Sequence, residues 1–167
     1  MLSAGSDIAS TFCSKMNARG SIVDHYLSEF RSGRCDDAFH SLIETDSAII
    51  QGLINAYEDA KEIDAKVFLI EVVSEFRLDS SLCFLRHALR RDDEPQIWKA
   101  ALNGMAMAES PEAVDAMDHA LSSVQDSTKR DWIQEAITDT KAAITKKQNN
   151  RGCLAAERSG ASKDTPD

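Results

Sequence analysis

Leu53-Ile54-Asn55-Ala56-Tyr57, Leu85-Arg86-His87-Ala88-Leu89 and Met117-Asp118-His119-Ala120-Leu121 follow one another at steps of 32 residues. Two of the three share His-Ala-Leu, and a looser copy, Val23-Asp24-His25-Tyr26-Leu27, lies 30 residues before the first. A fixed period of this size marks stacked repeat units. One short unit cannot bury its own apolar sides, so its neighbours must cover them. The repeated helix is the unit around which the chain is organised.

Composition agrees with a helical chain. Apolar residues make up 43% of the 167, enough for one domain with a core. There are only 7 Gly and 3 Pro, and β-branched runs are scarce, which favours helices with short joints over a sheet. No basic region followed by an apolar run opens the sequence, so no secretory signal is expected. No apolar stretch approaches membrane-spanning length. Cys13, Cys35, Cys83 and Cys153 are widely spaced, which predicts free thiols in a reducing cytoplasm rather than a zinc site.

Apolar spacing of three and four places about nine helices. The first runs from about Ser6 to Arg19 through Ile8, Phe12 and Met16. A second follows a weak Ser21/Asp24 capping box and ends at Gly33, and a short third spans Asp36 to Glu44. Asp46 caps the helix carrying Leu53 and Tyr57. Val67 to Val73 has the propensity of a strand, yet Ile63, Val67, Ile70, Val73 and Phe76 step by three and four, which predicts a helix from about Glu62 to Arg77. Asp79 is expected to cap the next. Pro95 and Pro111 sit where a helix tolerates proline, at its first position. Thr128 with Asp131 predicts a capping box for the last helix, which reaches about Lys147. Residues 1–147 are therefore expected to form one repeat domain, and 148–167, polar and small, a disordered tail.

The stretch from Asp79 to about Thr138 resembles the HEAT-like repeat family, in its short phycobilisome-lyase form. The residues that carry this are Leu82, Leu85 and Leu89, then Asp92-Asp93-Glu94-Pro95-Gln96-Ile97, Ala101-Leu102, and Ser110-Pro111-Glu112-Ala113-Val114 with Leu121. Trp98 stands where that family favours arginine, so its Asp–Arg ladder is not evident. The resemblance implies an all-α fold, an α-solenoid of stacked antiparallel helix pairs that mostly binds proteins, with the second helix of each pair on the concave face. The patterns of tetratricopeptide and ankyrin repeats are not found.

Candidate site residues follow from the repeat. His87 falls opposite Leu78, Leu82, Leu85 and Leu89 on an ideal helix, near Cys83, Arg90 and Arg91. Shifts of 32 residues carry these positions to Asp115, His119, Ser122 and Ser123 in one direction and to Gln51, Asn55, Glu58 and Asp59 in the other. A polar column results, with Asn55, His87 and His119 as rungs and Glu58, Asp59, Arg90, Arg91 and Asp115 beside them. The plain alternative is that repeats share an exposed polar position. Trp98 and Trp132 occupy equivalent turns, which points to packing between units before it points to ligand stacking. Asp37-x-x-His40 and Asp115-x-x-Asp118-His119 are isolated, so no metal site is expected. Glu71 and Glu75 fit a solvated face better than paired catalytic carboxylates. No nucleophile elbow, P-loop, HExxH or GxGxxG motif occurs, so neither catalytic residues nor a cofactor are expected.

Charge indicates the partner. The net value of −9 opposes binding to a phosphate backbone. From Asp36 to Phe76 ten acids face only Lys61 and Lys66, and from Ala101 to Ser127 five acids face no Lys or Arg. Such runs are usually solvated faces, and they also steer a basic partner. The expectation is a cytoplasmic, non-enzymatic module whose acidic concave surface binds a basic protein, as an inhibitor or immunity protein would. A lyase or chaperone for a bilin-type prosthetic group is the alternative, and nucleic-acid binding through Arg86, Arg90 and Arg91 the third.

Overall fold

A computed structural model describes residues 22–90 and 94–160, with side chains as far as Asn149. Every regular element among them is helical: α1 (22–31), α2 (Cys35–Ile43), a 3-10 turn (Ser47–Ile49) leading into α3 (Ile50–Asp59), α4 (Ile63–Glu75), α5 (Asp79–Arg90), α6 (Pro95–Met107), α7 (Pro111–Leu121) and α8 (Ser127–Gly160). The helix expected from Ser6 to Arg19 lies outside the described residues. The segment expected as a tail overlaps the end of α8, and its last part, 161–167, also lies outside them.

The 32-residue period contains a shorter one. Helical segments open at Ser47, Ile63, Asp79, Pro95, Pro111 and Ser127, each sixteen residues after the last. Asp46 and Ser110 close two of these starts, accepting from the backbone N–H of Ala48 (2.8 Å) and Ala113 (3.1 Å). The ends repeat as well. Arg77 and Glu109, 32 residues apart, both take positive φ (50° and 45°) just past α4 and α6, which turns the chain sharply without glycine. The start of α8 corrects one expectation. Asp126, not Thr128, is the cap: its carboxylate accepts from the Lys129 N–H at 2.6 Å. Arg130 then donates to the carbonyls of Leu121 (2.9 Å) and Val124 (3.1 Å), which locks the joint after α7. Upstream, α2 opens at Cys35, four residues late for the sixteen-residue register. The preceding turn is a Schellman motif. Arg34 N–H reaches back to Glu29 O (3.1 Å), and Gly33, at φ 89°, occupies the left-handed position.

Helices pack on sequence neighbours and on the next but one. α4 meets α2, α3, α5 and α6, and α6 meets α4, α5, α7 and α8. This explains Val67 to Val73. α4 buries Ala65, Phe68, Leu69, Ile70, Val72, Val73 and Ser74, far more than one face, so its run of apolar residues is a core helix and not a strand. In α5 the stripe is narrower: Leu85 and Leu89 are buried, Leu82 partly, and Leu78 precedes the helix in an exposed position.

α4 and α6 approach closely at Gly104. A Cβ on Gly104 would stand 2.1 Å from the Ser74 hydroxyl oxygen and 2.9 Å from its Cβ. Ser74 is itself buried and donates to Ile70 O at 2.7 Å. Gly104→Ala is therefore expected to destabilise. Overpacking costs about 1–3 kcal/mol, and the helical preference of alanine returns at most about 1 kcal/mol. Urea unfolding checks this, with Ser74→Ala in the same chain recovering part of the loss.

Candidate functional site

Alternate helices build two surfaces. On the first, α3, α5 and α7 carry Asn55, His87 and His119, all exposed at equivalent positions, with Glu58, Asp59, Arg90 and Asp115 also exposed beside them. On this surface α3 and α5 meet where His87 Nε2 lies 3.8 Å from Glu58 Oε1. Asn55 is held by Gln51, which donates to its side-chain oxygen at 2.9 Å. Arg91 lies outside the described residues. This surface is mixed in charge rather than uniformly acidic. Its middle rung is basic, where Cys83, Arg86, His87 and Arg90 line an open cavity of about 410 Å3. The acids stand on α3 and α7, to either side.

The second surface belongs to α4, α6 and α8. The same 32-residue steps bring Glu71, Asn103 and Glu135 to one set of positions, and Glu75, Met107 and Asp139 to another. Here α4 and α8 carry the acids, and α6 places Asn103 and Met107 between them. A cavity of about 270 Å3 lies among Phe39, Glu71, Glu75, Asn103 and Met107, and another of about 400 Å3 lies among Phe30, Asp36, Phe39, Asp64 and Glu71. The sequence placed Glu71 and Glu75 on a solvated face. It did not show that α2 sets Phe39 beside them, because that contact depends on how α2 lies across α4.

A third cluster joins units at the other edge. Trp98 and Trp132 meet edge to face, ring centroids 6.1 Å apart. Trp98 is buried and Trp132 is 44% exposed. The Lys99 ammonium lies over both rings, 4.6 Å from Trp132 and 5.5 Å from Trp98, and Lys129 covers Trp98 at 5.6 Å. Beside them opens a cavity of about 630 Å3 whose lining includes Arg90, Trp98, Lys99, Asp126 and Lys129. The two tryptophans bring α6 and α8 into contact, with Trp98 alone buried. Their sequence signal was the near-repeat of Trp98 at Trp132; the lysines carried none.

Among the described residues, no three His, Cys, Asp or Glu side chains converge as a metal site would require. Cys35 and Cys83 are exposed free thiols. No helix among these residues is long and apolar enough to cross a membrane. Two carboxylates depart from their ordinary titration. Glu62 is lowered by a hydrogen bond to its own backbone and then by the Arg31 guanidinium, 3.3 Å away. Glu71 retains access to water, yet partial burial of its carboxyl raises its pKa. No protein-family model matches this chain, and no curated protein is significantly similar to it.

Two outcomes follow. Because Glu71 is raised in the folded protein, its protonated form favours the fold, and that contribution is lost as pH climbs through the folded pKa. Glu71→Gln should therefore be more stable than the parent at neutral pH, with the difference vanishing at about pH 3, below the ordinary carboxylate range. Paired urea titrations at the two pH values measure it. Lys99→Ala should cost about 0.5–1 kcal/mol through the lost cation–π contacts. It should also alter tryptophan emission, since both tryptophans of the chain stand in this cluster.

Proposed function

We propose that the chain is a non-enzymatic protein-interaction module of HEAT-like stacked helix pairs. It acts in the cytoplasm and holds a basic partner protein, in the manner of an inhibitor or immunity protein. The observation that carries this is the regular sixteen-residue spacing of helix starts from Ser47 to Ser127. Such a repeat aligns side chains in columns along a surface, which suits recognition of an extended partner and requires no reaction. The exposed rungs Asn55, His87 and His119, flanked by Glu58, Asp59 and Asp115, form the candidate contact surface. Its acids on α3 and α7 would meet basic groups of the partner, and Arg86 and Arg90 between them would set the register.

A second proposal rests on the cavity beside Trp98. A bilin-type prosthetic group is flat, apolar and carries carboxylates, and this cavity combines an aromatic wall with Arg90, Lys99 and Lys129. A lyase or chaperone role would use it.

The discriminating measurement is a pull-down from the source cell's lysate. The parent and the Asn55→Glu, His87→Asp and His119→Asp variants are compared at matched folding by circular dichroism. The expected outcome is one stoichiometric basic protein, retained by the parent and lost by the variants. A coloured tetrapyrrole on the purified chain, with no protein retained, replaces the first reading by the second. Co-purified nucleic acid whose binding falls steeply with salt replaces both.

A further inference from the structure

The two cavities on the α4/α6 surface are neighbours, and Phe39 and Glu71 line both. One draws on α1, α2 and α4 and the other on α2, α4 and α6, so together they outline a groove. Its floor is aromatic. Phe30 stacks on Phe68 at 4.4 Å, and Phe39 meets the same ring edge-on at 6.4 Å. Met107, 52% exposed, adds an apolar group at the α6 end. The charged residues of the lining are Asp36, Asp64, Glu71 and Glu75, and no lysine or arginine is among them.

Two constraints select an occupant. An apolar segment laid over Phe39 and Met107 takes water from the neighbouring carboxylates, which is costly unless cations replace it. The occupant must therefore bring lysine or arginine. The second constraint is the backbone. The groove is walled by helices whose own N–H and C=O groups are already paired, so it offers no strand edge. A segment docked there must satisfy its backbone internally, which a helix does.

We infer that the groove between α2, α4 and α6 is the seat of a basic amphipathic helix of the partner protein. Its apolar stripe lies on Phe30, Phe39 and Met107, and its cations face Asp36, Asp64, Glu71 and Glu75. Partial burial of Glu71 in the free protein is consistent with a carboxylate already short of water and ready to gain from a cation. The inference rests on the interaction-module reading but uses a different surface from the Asn55–His87–His119 column.

The probe is a fluorescein-labelled fourteen-residue Leu/Lys amphipathic peptide, read by anisotropy on the full chain. Saturable one-to-one binding is expected, weakened by salt. The double variant Glu71→Lys/Glu75→Lys should weaken it about tenfold or more, and Met107→Ser by several-fold. Glu112→Lys/Asp118→Lys makes the same change of net charge on exposed residues of α7 that belong to neither surface, and should leave it within about twofold. Absence of saturable binding overturns the inference. So does an equal loss in the α7 control, which would mean attraction to net charge alone. Groove binding with column variants that retain the lysate partner would leave this inference standing while removing the column from the function. Loss of the lysate partner only in the column variants, with no peptide binding, would do the reverse.

Discussion

Everything in this molecule leans on the burial of α4 against α6. Ser74 on one helix fills the space left by Gly104 on the other, and a side chain at Gly104 would push the two apart. That contact brings α4 into a position where α2, α3, α5 and α6 surround it. Seven of its residues are thereby buried, from Ala65 to Ser74. The helix has no outer apolar face to spare, and the units on either side are joined through it. Dense interiors transmit such constraints because no gap is available to absorb them.

The packing has a consequence for charge. With helical segments opening every sixteen residues, α3, α5 and α7 contact in one series and α4, α6 and α8 in another. One side takes the column of Asn55, His87 and His119, with arginines at its middle rung. The other takes Glu71 and Glu75 on α4 and Glu135 and Asp139 on α8, with Asn103 and Met107 of α6 between them. A net charge of −9 is thus not spread evenly. The surface with the less varied charge is also the one with an aromatic floor, and that combination separates a docking groove from an ordinary solvated face.

At the far edge, Trp98 and Trp132 show how one repeat position serves two ends. Trp98 on α6 is buried, whereas Trp132 on α8 meets it edge to face and stays half-exposed. Lys99 lies over both rings, so the exposed indole is covered by a cation rather than by an apolar side chain.

Much of the architecture was legible in the residues. The 32-residue recurrence of Leu53, Leu85 and Met117 announced the unit, and steps of three and four from Ile63 to Phe76 made a helix of a β-prone stretch. Asp46 marked a start because a short polar side chain before an apolar run satisfies a free N–H, and Pro111 marked another because a first helical position needs no N–H. The cap at Asp126 was missed, although sixteen residues after Ser110 was the place to look. Local propensity and period are properties of the chain, so sequence alone determined the helices and their repeat. What surrounds each helix is not such a property. Only tertiary structure decided that Phe39 of α2 meets Glu71, that Gly104 seats Ser74, and that Lys99 caps two indoles, since each contact joins residues from different helices whose mutual placement is set by packing.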